Sequence, residues 1–225
     1  MRRTLTSRRR LLVQTLALAT TAALLPAAAF AAPAPTPALS AEDRALVDKA
    51  VAYLQGLGEA KGRFVQTDGR GPPTSGELFL KRPGKARFAY DPPSGLLVVS
   101  DGGRVIVQDK RLNTFTAYPL GATPLSLFLA KTIRLDKGVQ VTRVVRASDG
   151  FTITARDGGH GTAGQIAISF ADNPMRLVAW TVTDAQGRVT QVRIEGLEKT
   201  SGLAPSLFVL KNPNTRAPDP GRLGL

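Results

Sequence analysis

The sequence predicts a mainly β fold with helices, an antiparallel meander forming one curved sheet or barrel. Two observations carry this. From Gly62 onward, β-branched and aromatic residues come in short runs of strand length, and turn signals separate the runs. The signals are Asp68-Gly69 with Pro72-Pro73, Arg82-Pro83-Gly84, Asp91-Pro92-Pro93, Asp101-Gly102-Gly103, Asp149-Gly150, Asp172-Asn173-Pro174 and Asp184 to Gly187. Spacing of that kind belongs to an antiparallel meander, and one helical pattern precedes it.

Residues 1–31 start with Arg2, Arg3, Arg8, Arg9 and Arg10, continue through an apolar stretch from Leu11 to Leu25, and end on Ala29-Phe30-Ala31. That is the layout of a secretory signal peptide cleaved after Ala31, too short and too rich in Ala and Thr for a stable membrane span. Ser7-Arg8-Arg9-Arg10-Leu11-Leu12 also resembles a twin-arginine signal with leucine in place of the usual phenylalanine, so both export routes stay open. Residues 32–39 read as a short extended leader, and the mature product is expected to be soluble. Ser40 then offers an N-cap, Asp43 takes the capping-box position, and Leu46, Val47, Ala50, Val51 and Leu54 recur at helical spacing, which predicts an amphipathic helix over about 40–57.

Strands are expected near 62–67, 75–81, 85–90, 96–100, 104–109, 113–118, 138–147, 150–156, 164–170, 175–183 and 188–196. Two of them break the in-out alternation of a sheet with one wet face. Leu96-Leu97-Val98-Val99 and Val105-Ile106-Val107 are apolar at consecutive positions, so both faces there must be covered. The candidates for the cover are the N-terminal helix and Pro124 to Lys131. The latter reads as a proline-initiated helix of about two turns, with Leu125, Leu127, Phe128 and Leu129 leaving little polar circumference. It either plugs the concave side as core or lids a cavity there. The folded domain is expected over 40–211, and the tail 212–225, with three prolines, reads as loose.

Composition removes several classes of chemistry. The chain has no cysteine, which excludes thiol catalysis, disulfides, cysteine-ligated zinc and a lipidated N-terminal cysteine. Its one histidine, His160, lies in a Gly-rich loop without evident metal-ligand companions. Neither Gly-x-Ser-x-Gly nor a phosphate-cradling loop occurs, and carboxylate pairs such as Glu195 and Glu198 read as solvated surface groups. No enzyme activity, catalytic residue, metal or cofactor is expected. The net charge of +13 falls to +8 once the five arginines before Leu11 are set aside, leaving 25 basic against 17 acidic residues in mixed-sign groups. Without clustered Arg and Lys among stacking aromatics, nucleic acid is not an expected partner, and a polyanion-binding module stays a minor alternative. The basic surface suits transient contact with anionic membrane faces or acidic partners.

Particular residues then become familiar. The order Gly62-Arg63-Phe64-Val65-Gln66, then Gly76 to Pro83 (GELFLKRP), Arg87-Phe88-Ala89-Tyr90-Asp91-Pro92-Pro93 and Ser100-Asp101-Gly102 resembles the periplasmic outer-membrane lipoprotein carrier family, the LolA type. The likeness runs more loosely to about Lys211. It implies a strongly curved antiparallel sheet forming an incomplete barrel, its concave face covered by the N-terminal helix and short lid helices, around an apolar cavity for acyl chains. It also implies that Arg82 hydrogen-bonds to the lid and holds the empty cavity shut. Ala86 departs from the aromatic or leucine common in the family, which puts a local cargo or partner contact in doubt.

On that resemblance the chain is expected to be a monomeric periplasmic chaperone. It would take acylated lipoproteins from an inner-membrane release complex and carry them to an outer-membrane acceptor, where one is present. An envelope sensor of lipoprotein or lipid on the same sheet is the alternative; such sensors usually append a further domain, for which no segment here is long enough. Candidate cavity residues are Phe88, Leu97, Val99, Ile106 and Phe115, and candidate lid residues are Leu125, Leu127, Phe128 and Leu129. A one-residue change of register would exchange inward and outward sets.

Overall fold

The computed structural model describes residues 39–69, 71–133, 139–157 and 164–211. The signal-like stretch 1–31, the leader before Leu39, His160 and the tail 212–225 lie outside the described residues.

Helix α1 (Ala41–Gln55) begins as its cap dictates: the Ser40 hydroxyl accepts the Asp43 N–H at 3.0 Å, and Glu42 and Asp43 occupy the first turn, where unpaired N–H groups favour negative charge. Its Val47, Ala50 and Leu54 are buried. Eleven strands follow among the described residues: β1 (Glu59–Thr67), β2 (Thr74–Lys81), β3 (Lys85–Tyr90), β4 (Leu96–Asp101), β5 (Arg104–Asp109), β6 (Thr114–Pro119), β7 (Val139–Arg146), β8 (Gly150–Asp157), β9 (Gln165–Asp172), β10 (Met175–Thr183) and β11 (Val189–Thr200). Between β6 and β7 lie a 3-10 helix, Leu120–Ala122, and helix α2 (Leu125–Leu129).

All eleven strands share one antiparallel sheet in the order β6-β5-β4-β3-β2-β1-β11-β10-β9-β8-β7. It consists of two meanders, β1 to β6 and β7 to β11, joined where β1 pairs with β11. β6 and β7 are its two edges, so the sheet is open. Its curvature follows from ring contacts. Phe88 on β3 and Trp180 on β10 stand four strand spacings apart, about 19 Å in a flat sheet, yet their ring centroids are 6.0 Å apart. The expected fold, a curved antiparallel sheet forming an incomplete barrel with helices on its concave face, is the observed one.

Helix α1 packs into the concave side of β8 and β9. Ala50 and Leu54 meet Ile153, Ala155, Ile166, Ile168 and Phe170 around a void of only 10 Å³, about the room of one water molecule. Salt bridges at the helix flank, Lys49 with Asp172 and Arg146 with Asp43, fix it to the ends of β9 and β7.

Two expectations need correction. Helix α2 is a five-residue helix instead of two turns. Its carbonyls at Leu129 and Ala130 accept from the Arg82–Gly84 turn, so tertiary donors take the place of a further helical turn. The doubly apolar strands β4 and β5 are also not sandwiched by the two predicted helices. Both helices sit on the concave face, and the convex face of β3 and β4 is covered by a 3-10 helix, Pro205–Phe208, whose Phe208 is 1% exposed. Arg87 donates to the Leu207 carbonyl at 3.1 Å, Lys81 to that of Leu203 at 2.9 Å, and Glu59 accepts the Leu203 N–H at 2.8 Å, strapping this segment to the sheet.

Candidate functional site

Where α1 ends, the interior changes character. Beneath α2 lies a half-open hollow of about 300 Å³. Its roof is Thr123, Pro124, Leu125 and Phe128. Its walls are Phe88 and Tyr90 from β3, Val98 from β4, Ile166 and Ile168 from β9, Trp180 and Val182 from β10, and Gln66, Thr190 and Val192 from β1 and β11. Most of these groups are apolar. Phe128 tilts against Trp180 with centroids 5.7 Å apart, and Phe88 meets Trp180 edge-on, so three rings converge in the lining.

The sheet register decides which of the expected cavity residues reach this hollow. Phe88 pairs with Val98, Val98 with Val107, and Val107 with Thr116; paired residues share a face. Phe88 therefore lines the hollow. Leu97, Val99, Ile106 and Phe115 fall on the other set, with Val99 opposite Ile106 and Gln108 between Leu97 and Phe115. They point to the convex face, which corrects their assignment as cavity lining. Leu97 borders an outer groove with Arg87, Ala89 and Lys110. Both-sided apolarity in β4 had hidden the phase. Ala86 shares the concave side with Phe88 but is fully buried in the packed core, outside the hollow. In α2, Leu125 and Phe128 face the hollow and Leu129 is fully buried in the core; Leu127 lies in the helix, its side chain outside what is described.

Arg82 stands at the junction of the two helices. One guanidinium nitrogen donates to the Leu54 carbonyl at the end of α1, another to the Ala130 carbonyl just past α2, at 2.6 Å. Both are helix-end carbonyls, and that of Leu54 also accepts the Leu57 N–H at 3.3 Å. The backbone of the same turn repeats the pattern: Arg82 N–H donates to Gly58 O at 2.7 Å, and Gly84 N–H to Leu129 O at 2.8 Å. Gly84 is suited to this place because its φ is +79° and a Cβ there would lie 2.8 Å from the Gly102 Cα. The clamp is incomplete, since the Arg82 Nε–H is buried without a hydrogen-bond partner. Burial also lowers the arginine pKa below its usual value.

One polar pair interrupts the apolar lining. The Tyr90 hydroxyl donates to Gln66 Oε1 at 2.6 Å. Burial first, and the charge of Asp68 second, push the Tyr90 pKa up to about 12 against the opposing hydrogen bond to Gln66, so the phenol stays neutral. Among the described residues, no group of three or more His, Cys, Asp or Glu side chains is placed to hold a metal ion.

The later strands supply walls that the sequence reading left unassigned, namely Ile166, Ile168, Trp180, Val182 and Val192. A signal for them existed. Gln165-Ile166-Ala167-Ile168-Ser169-Phe170 alternates strictly, and the structure buries its even positions.

A family model for the outer membrane lipoprotein carrier protein LolA matches residues 55–211. The chain is 28% identical over 165 residues to the outer-membrane lipoprotein carrier protein of Methylobacillus flagellatus, covering 69% of this chain and 74% of that one. Against the outer-membrane lipoprotein carrier protein of Chromobacterium violaceum it is 27% identical over 198 residues, with coverages of 84% and 93%. A LolA superfamily protein of Nitrosomonas europaea superposes with a TM-score of 0.42 at 9% identity, over 72% of this chain and 97% of that one. With more than half of its length matched by the family model, the chain belongs to the LolA family of outer membrane lipoprotein carrier proteins.

Proposed function

We propose that the mature chain is a periplasmic carrier, without enzymatic activity, that shields lipoprotein acyl chains between an inner-membrane release complex and an outer-membrane acceptor. The observation behind this reading is the contrast between the two ends of the interior: tightly packed under α1, hollow and apolar under α2. At about 0.8 kcal/mol per buried methylene, two or three long chains carry tens of kcal/mol in gross transfer free energy, so they do not cross water unshielded. A volume of about 300 Å³ is at the small end for a ligand pocket, so full loading requires α2 to move outward.

Arg82 gives that movement a two-state character. Its two donated bonds favour the closed form, each by about 0.5–1.5 kcal/mol or somewhat more for a charged donor. Its unpaired Nε–H opposes them, since a buried donor without a partner costs on the order of 1–3 kcal/mol. The closed form is held without being locked, and acyl chains entering the hollow replace the contacts of Leu125 and Phe128 with their own. Aliphatic and aromatic walls make no directional demands, which suits a cargo whose protein parts differ. Transport is binding and release, with no covalent step.

The test mixes purified protein with a membrane-anchored lipoprotein and its active release machinery. A soluble one-to-one complex that passes its lipoprotein to outer-membrane acceptor is the expected result. No complex with active machinery would refute the carrier; a complex that never delivers would favour the sensor on the same sheet.

A further inference from the structure

We propose that the hollow ends in a polar clasp, built from Gln66, Tyr90 and Thr190, that holds the carbonyl oxygens of an acyl ester or amide. The inference rests on the reading of the hollow as an acyl site and names what that site recognises beyond the tails.

The three residues lie at one end of the sheet. Gln66 pairs with Val192 across β1 and β11, and Thr190 lies two residues before Val192 on the same face, paired with Val182. All three line the hollow. The Tyr90 hydroxyl saturates one side of the Gln66 amide by donating to Oε1, which fixes the amide plane and leaves its nitrogen on the other side. Among the described residues neither Gln66 Nε2 nor the Thr190 hydroxyl donates to a protein acceptor. The free groups are therefore the Gln66 amide N–H donors and the Thr190 hydroxyl, which can donate, set in a wall that is mostly apolar. Polar groups in such a wall carry a desolvation cost that a phenylalanine and a leucine would avoid. Ester and amide carbonyls are acceptors and complement them. With acyl tails directed toward Phe88, Phe128 and Trp180, the linkages that join those tails to a glycerol or an amine would lie at Gln66 and Thr190. A donor left unpaired by an analogue without the carbonyl is what gives such a site its discrimination.

Displacement of the fluorescent apolar probe N-phenylnaphthylamine tests this. A diacylglycerol is compared with the dialkyl glycerol ether of equal chain length, which has no carbonyl. The ester is expected to displace the probe at about tenfold lower concentration, the effect of one to two neutral hydrogen bonds. In Gln66→Leu and Tyr90→Phe the ratio between ester and ether should shrink to about twofold, and an unaltered circular dichroism spectrum of each variant shows that it is still folded. A triacylated lipopeptide and a phosphatidylglycerol, each beside its ether-linked analogue, reveal whether the ester held is a lipoprotein's or a phospholipid's; a gap for either supports the clasp. Equal displacement by ester and ether, with the probe bound normally, would overturn the clasp and leave the carrier reading intact. Failure of the probe and every lipid to bind would overturn the hollow and the clasp together.

Discussion

At the scale of single residues, Arg82 concentrates the energetics. Its side chain reaches carbonyls at the ends of both helices, and its backbone and Gly84 reach two more. Arg82→Leu leaves the Leu54 and Ala130 carbonyls without these donors, so urea unfolding should show a loss of about 1–3 kcal/mol. Uptake of an apolar probe should also become faster. Arg82→Lys should fall between, because one ammonium lacks the fork that spans two carbonyls. Wild-type stability and probe uptake in the leucine variant would remove Arg82 from the closing mechanism. Acid sensitivity resides elsewhere. The Asp91 carboxylate is held below its usual pKa by the Ser75 hydroxyl and then by Arg63, and Glu59 by Lys81 and the Leu203 N–H. Groups with depressed pKa values in the folded state stabilise it fully above the ordinary carboxylate range, and that stability is lost as pH falls through the depressed values. Urea midpoints should therefore drop below about pH 4, and Asp91→Asn should flatten the drop while lowering the plateau at neutral pH. An unchanged slope in the variant would assign the acid limb to other groups.

At the scale of elements, the two faces of β3 and β4 have separable duties. Phe128 of α2 roofs the hollow, whereas Phe208 covers the convex face. Phe208→Ala should cost about 3–5 kcal/mol in urea and leave probe binding per folded molecule unchanged. Phe128→Ala should cost less, since the hollow already adjoins it, and should alter probe binding. Matching effects on both readouts would mean the faces are coupled. The strands and α1 were legible because turns and caps are local chemistry: Asp-Gly and Pro-Gly at the bends, Ser40 at the helix start. Phase was legible only where polarity alternates. In β9 it could be read outright; in β4 the run Leu96-Leu97-Val98-Val99 gives no inward signal, and four cavity assignments followed the wrong face. The strap Pro205–Phe208 was missed because a one-turn 3-10 helix has no periodicity to detect, and the end of α2 was misplaced because donors more than 40 residues away set it.

At the scale of the whole sheet, openness and curvature act together. β6 and β7 do not pair, and α2 lies in the connection between them and roofs the hollow. The covering element is thus tied at the edges of the sheet, not woven into it, and can move without breaking a strand pair. The most direct test of that exchange uses the absence of cysteine: thiols introduced at Ser126 on α2 and Gln191 on the outer face of β11 are the only ones to label. Pulsed electron spin resonance then gives the distance between them with and without a bound triacylated lipopeptide. A narrow distribution in the empty protein that lengthens and broadens on loading is the expected result. The same narrow distance with the acyl chains demonstrably bound would contradict displacement of α2, and with it the claim that guest tails replace the protein's own cover.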